Sequence, residues 1–224
     1  MKQGLVTFAG SRGPMTCAMI FLLASIWLLP SEAFSMNTYR VEEEVTGESY
    51  SEVMKAWHAR KFSMLVGVTD SGEEYVLFNG DTGLGEATVA MPYAEAEIST
   101  IEQLLVTAQE WATIAKKNHA DTEKVLGCFP NAQFLICEKE GIPYGENQIG
   151  LRFYARNKGQ QRSLIIDMAD QSNRYKRATI YFGPLEMAAL TRNIRQIGHA
   201  LSKARETARK QHLFMIPPKN ASIP

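Results

Sequence analysis

"IGLRFYARNKGQQRSLIIDM", residues 149–168, is the stretch that decides the fold. Apolar and polar residues alternate as far as Arg156, the period of two that a half-buried strand requires. Asn157-Lys158-Gly159-Gln160 then interrupts with turn chemistry, its glycine supplying positive φ, and a second β-rich run, "RSLIIDM" (162–168), follows at once. Strands joined this closely are antiparallel, because a parallel crossover needs a dozen residues or more.

The pattern extends in both directions. "YKRATIYF" (175–182) and "AQFLICEK" (132–139) read as further strands. In the first half "FSMLVGV" (62–68) and "EYVLFNG" (74–80) flank "TDSG" (69–72) as a hairpin, "EATVAM" (86–91) ends at Pro92, and Ser51 is placed to cap a short helix through Trp57. Two long helices are expected. The first opens on a capping box, Ser99 with Glu102, and carries Ile98, Ile101, Leu104, Leu105, Ala108, Trp111, Ala112 and Ala115 on one stripe. The second opens at Gly183-Pro184 and carries Met187, Leu190, Ile194, Ile197, Leu201, Ala204 and Ala208. Strands grouped by hairpins, with helices after them, predict an α+β protein: antiparallel sheet with both amphipathic helices packed on one face. Ala87-Thr88-Val89 and Ala178-Thr179-Ile180 stand in matching places before the two helices, a hint of a duplicated strands-then-helix unit with halves 51–127 and 128–210.

Outside that 51–210 domain, the sequence predicts a signal peptide over 1–35, an acidic flexible lead over 36–50 and an extended Pro-rich tail over 211–224. The leader's apolar core, Ala18 to Leu29, is too short to span a bilayer, which takes roughly 20 apolar residues, and fits a secretory core of about 7–15. Lys2 and Arg12 precede it, Pro30 stops it, and Ser31-Glu32-Ala33 and Ala33-Phe34-Ser35 offer small-x-small cleavage sites. An uncleaved anchor is the alternative. Removal leaves about 190 residues, enough for one sizeable core, and points to a periplasmic or secreted location. Of the three cysteines, Cys128 and Cys137 would remain, and an exported chain with an even count favours a disulfide between them over two buried thiols.

Net charge is zero over the 224 residues but unevenly divided. From Met36 to Gly127 there are 16 acidic and 7 basic residues, net −9; from Cys128 to Pro224 there are 7 acidic and 15 basic, net +8. Either the halves attract one another or the basic half meets an acidic partner.

Motifs of chemistry are sparse. Asp81-Thr82-Gly83 matches the aspartic-protease triplet but follows Asn79-Gly80 and has no second copy, so a Gly-rich turn is expected. Gly80, Gly83 and Gly85 lack the Lys-Ser/Thr of a phosphate loop. His58, His119, His199 and His212 are scattered without ligand spacing, and no metal or cofactor is expected. The constellation singled out is on the second sheet half. Alternation turns Leu151, Phe153, Ala155, Ala178, Ile180 and Phe182 inward, and Arg152, Tyr154, Arg156, Tyr175, Arg177 and Tyr181 to the other face. Arg forks and Tyr rings together suit an acidic protein or an acidic envelope polymer; nucleic acid is not expected, and membrane contact only through a retained leader. The function expected is a non-catalytic binding or accessory module of the cell envelope; the alternative is a hydrolase-like enzyme with scattered Asp, Glu and His.

Overall fold

The computed structural model describes residues 36–42, 44–129, 147–173 and 175–215, with side chains as far as 210. The leader, "AQFLICEK" and Cys137 lie outside the described residues. Among the described residues nine antiparallel strands form one sheet: β1 (Met36–Arg40), β2 (Val45–Ser51), β3 (Ala56–Thr69), β4 (Glu74–Asp81), β5 (Glu86–Pro92), β6 (Thr122–Phe129), β7 (Gln148–Arg156), β8 (Gln161–Ala169) and β9 (Arg177–Phe182). Helix α1 (Glu95–Asn118) follows β5, and α2 (Pro184–Met215) follows β9. The order across the sheet is β5-β4-β3-β2-β9-β8-β7-β6, with β1 pairing β3 beyond the end of β2. The α+β class with antiparallel strands and two long helices is thus as the sequence predicts; of the described strands, five precede the first helix and four stand between it and the second.

Alternation along the strands generates one inner face. Phe62, Met64, Val66, Val76, Phe78, Phe153, Leu164, Ile166, Ile180 and Phe182 all point inward and are buried in a single core with the predicted stripes of both helices. Each such side chain contributes roughly 1.5–3 kcal/mol on leaving water. α1 packs on β6, β7 and β8; α2 packs on β1, β2, β3, β8 and β9, and on α1. The sheet joins its halves between β2 and β9, where Gly47 is required: a Cβ there would stand 2.6 Å from Ile180 Cγ2 and from the Tyr181 carbonyl.

The sheet also curls, bringing β5 against β8 and β9. Among the described strands none pairs with the outer edge of β5, and the side chains of Asn147 and Asp170 with the backbone of Gln171 complete it. Asn147 donates from Nδ2 to the Ala90 carbonyl and accepts at Oδ1 from the Ala90 N–H, both at 2.7 Å. Asp170 Oδ2 accepts the Thr88 N–H at 2.9 Å, and the Gln171 N–H donates to the Thr88 carbonyl at 2.7 Å. Together these bonds form a clasp that blunts an edge which otherwise offers unpaired backbone groups.

Several local expectations are corrected. The acidic lead is not a loose segment: most of it is strand β1 and β2, with Val45 and Gly47 buried and Thr46, Glu48 and Tyr50 facing out. Ser51 caps no helix; its Oγ accepts the Met54 N–H at 3.2 Å in a turn, and Trp57 is in β3. Helix α1 starts at Glu95, upstream of the expected capping box, and its N-cap Ala94 makes no side-chain cap bond. β6 was not foreseen, and α2 continues to Met215, into the stretch read as an extended tail.

Candidate functional site

The outer sheet face is built by the odd-even alternation of β7, β8 and β9. Pairing puts Arg152 opposite Ile165 and Ile165 opposite Tyr181, so these three form one row across the face. Tyr154 and Arg156 continue along β7, and Arg156 lies over the Tyr154 ring at 5.3 Å, a cation–π contact. Arg177 is exposed at the start of β9 and Tyr175 is 80% exposed just before it. All six predicted residues therefore fall on or beside one face, but they are not equivalent.

Arg152 is not a free cation. Its Nε donates to Asp167 Oδ2 at 2.9 Å and its Nη1 to Glu123 Oε1 at 3.0 Å, and its side chain is only 14% exposed. Asp167, on the outer side of β8, is buried and also accepts the Thr179 hydroxyl at 2.6 Å. Burial drives the Asp167 pKa upward, while the Thr179 hydroxyl and the Arg152 and Arg177 guanidinium groups oppose that rise without cancelling it. Burial likewise raises the Tyr181 hydroxyl, with Asp167, Tyr154 and Glu123 adding to it and Arg152 opposing. The centre of the face is consequently a closed ion network, Glu123–Arg152–Asp167, over a fully buried Ile165.

The aromatic content is larger than the sequence reading found. Trp57 of β3 meets Tyr181 edge-on at 5.0 Å between ring centres, and Tyr50 of β2 meets Trp57 at 5.5 Å. Tyr50 and Trp57 remain 39% and 52% exposed, so three rings form a continuous aromatic strip where the sheet halves join. The signal for Trp57 was present, since alternation places Trp57, Ala59 and Lys61 on one side of an extended run; the mistaken helix hid it.

Elsewhere the candidates for chemistry resolve into structure. Asp81-Thr82-Gly83 is the β4–β5 turn, with Asp81 Oδ1 accepting the Gly83 N–H at 2.6 Å. His119 is the left-handed C-cap of α1. Among the described residues no three His, Cys, Asp or Glu side chains converge as a metal site. The internal cavity beneath the helices, lined by Phe62, Leu105, Leu190 and other apolar side chains, is about 20 Å³, the room of one water in a place with no polar wall. A groove of about 520 Å³ runs between the β1–β2 junction and the start of α2. Of its charged lining, Glu44 is bound by Arg40 and Lys61, and Arg195 by Glu102. The hydrogen bond from Lys61 leads the effects that hold the Glu44 pKa below its ordinary value, the wrong direction for a general acid. Cys128 is buried at the end of β6. No helix among the described residues is long and apolar enough to cross a membrane. No family model matches the chain, and neither a curated protein nor a solved structure is similar to it.

Proposed function

We propose that this chain is an exported cell-envelope protein, a non-catalytic binding or accessory module whose outer sheet face engages an acidic partner. The observation that carries the reading is the strip Tyr50–Trp57–Tyr181 lying beside the arginine-bearing strands β7 and β9, on the face opposite the helices. Exposed Trp, Tyr and Arg are the side chains that dominate binding energy in interfaces. Within that face Arg156 and Arg177 are the exposed cations that meet the partner, and Arg152 acts by holding the face rigid through Asp167.

The test is a pair of variants with different expected outcomes. Arg156→Glu with Arg177→Glu should abolish partner capture in cross-linking on intact cells while lowering the melting temperature only slightly, because exposed charges shift stability by about 0.5 kcal/mol each. Trp57→Ala should weaken capture on its own. Full capture by a folded triple variant would remove this face as the binding site.

The export part of the proposal draws on the leader alone. The mature chain should begin at Phe34 or Met36, and peptides containing Lys2 or Arg12 in the soluble fraction would refute cleavage. Cys128 should be linked to Cys137 in non-reducing peptide maps; labelling of both thiols in unreduced protein would refute the bridge.

A further inference from the structure

A second charged surface stands apart from the Arg–Tyr face. The β7–β8 turn abuts the last turn of α1 so closely that a Cβ on Gly159 would lie 2.2 Å from the Ala115 carbonyl oxygen. The Lys158 N–H reinforces the junction by donating to Asp121 Oδ1 at 2.7 Å. This packing gathers cations that are far apart in the chain. Lys116 and Lys117 come from the end of α1, Lys158 from the turn, and Lys124 from β6, where it is opposite Phe153 and thus near Trp111 of α1. Arg162 of β8, opposite the inward-facing Ala155, completes the corner on the helix side of the sheet.

The four lysines are exposed and Arg162 is half-buried. None of these five cations is in an ion pair among the described residues. The Arg162 Nε is buried and has no hydrogen-bond partner, so the exposed charge of the corner is that of the lysines. Glu123 is spent on Arg152, and Asp121, which accepts the Lys158 N–H, offsets one cation, so the corner stays positive by several charges. The cations are mostly lysines, compact charges on flexible stems rather than rigid forks. They surround a helix end and a hairpin tip, and Ile114, 53% exposed, stands one turn before Lys117. Flexible ammonium groups around an exposed apolar side chain suit a fluid sheet of negative headgroups, which imposes no fixed geometry on them.

We infer that the α1 end and the β7–β8 turn form a docking surface for an anionic phospholipid bilayer. The argument is charge complementarity, and it stands or falls without the Arg–Tyr face. Each lysine close to an anionic leaflet contributes an interaction equivalent to about a fivefold gain in partition, so four of them suffice for reversible attachment.

The experiment is a lysine-acetylation footprint of the full chain, read by mass spectrometry residue by residue. It compares phosphatidylcholine vesicles with and without an anionic phospholipid. On anionic vesicles Lys116, Lys117, Lys124 and Lys158 should acetylate about fivefold more slowly, while Lys55 in the β2–β3 turn and Lys203 on α2 keep their rates. Raising salt to about 0.5 M should restore the four, since screening is then complete within a few ångströms. Because the readout is local, attachment through any other segment does not mimic it. Equal rates on both vesicles, or equal protection at Lys55 and Lys203, would overturn the inference. Protection by soluble polyglutamate but not by vesicles would overturn it too, and would assign the corner to an acidic polymer.

Discussion

Replacing Asn147 by alanine should cost about 3–4 kcal/mol of folding stability, a large share of the 5–15 kcal/mol that a domain has. The figure is built from the clasp on β5. Asn147→Ala removes both side-chain bonds to Ala90 and leaves a half-buried N–H and C=O without partners. Each lost bond is worth about 1 kcal/mol net, more where the orphaned group cannot rehydrate. The backbone adds a further cost, because Asn147 sits at φ +53°, a left-handed conformation that asparagine tolerates and alanine adopts at about 1 kcal/mol. Asn147→Asp separates the contributions. It keeps the left-handed preference and the acceptor for the Ala90 N–H, but sets a carboxylate oxygen 2.7 Å from the Ala90 carbonyl. Repulsion there raises the folded-state pKa of the new carboxyl above its unfolded value of about 3.9, so the protonated form, which donates as the amide did, is favoured in the fold. The variant should therefore lose about 2–3 kcal/mol at neutral pH and recover part of it as pH falls through the raised folded pKa. Urea denaturation across a pH series measures both. A loss under about 1 kcal/mol for Asn147→Ala, or an Asn147→Asp penalty that does not shrink on acidification, would show that the β5 edge does not depend on the clasp.

Asp170 should impose an acid limit: burial pushes its carboxyl up, but the Thr88 and Ser172 donors and Lys176 outweigh burial and hold it below the ordinary value. A lowered folded pKa gives stability that is present above about pH 4 and lost as pH falls through the folded value, so the stability gap between the protein and Asp170→Asn should be flat at neutral pH and close in acid; a gap that widens would be inconsistent. Asp167→Ala should cost about 3–5 kcal/mol by stranding the poorly exposed Arg152, whereas Glu123→Ala, at 45% exposure, should cost under about 1 kcal/mol, as chemical denaturation of the two variants will measure. Gly159→Ala should destabilise by several kcal/mol, about 1 of it from φ +70° and the rest from collision with the Ala115 carbonyl, and calorimetry should show a melting temperature lowered by many degrees.

What was legible in the sequence was whatever the two periodicities encode. β3, β4, β5, β7, β8, β9 and both helical stripes carry strong apolar repeats, and they lie where the repeats put them. β2 escaped because its buried positions include Gly47, chosen for close approach to β9 and invisible to a hydrophobicity pattern, and because its exposed face holds Thr46, Glu48 and Tyr50. β6 escaped for the reason edge strands do: Glu123 and Lys124 are exposed and the apolar positions come late, after a register shift between Val125 and Gly127. The clasp was beyond reach, since Asn147 and Ala90 are 57 positions apart and meet only because the sheet curls. The six candidate site residues lie on or beside one side of the sheet, and Arg152 differs from the expectation in being tied into an ion network. Asp167 inside the apolar run "SLIIDM" was the available signal, because an acid at an outward position of β8 must find a cation on β7 or β9.

The charge division of the chain acquires a physical meaning once the ion pairs are traced. Arg152–Glu123, Arg195–Glu102 and Arg205–Glu74 each join a cation of the basic half to a carboxylate of the acidic half. The first ties β6 to β7, the second α1 to α2, and the third, bidentate, fastens α2 to the start of β4. The hydrogen bond from Arg205 leads the effects that lower the Glu74 pKa, so this fastening keeps its charge down to acid pH. Part of the asymmetry is thereby consumed in holding the halves together, and at the centre of the predicted Arg–Tyr face the one guanidinium, Arg152, is matched by two carboxyl groups, Glu123 and Asp167. The cations left over are then informative by subtraction. A lysine whose neighbours are carboxylates in search of partners would be drawn into the same network, yet Lys116, Lys117, Lys124 and Lys158 stay outside it although Asp121 and Glu123 are close by. Uncompensated like charges on one corner repel one another and oppose folding. Four lysines held together at that cost are the observation on which the proposed attachment to a negative surface rests.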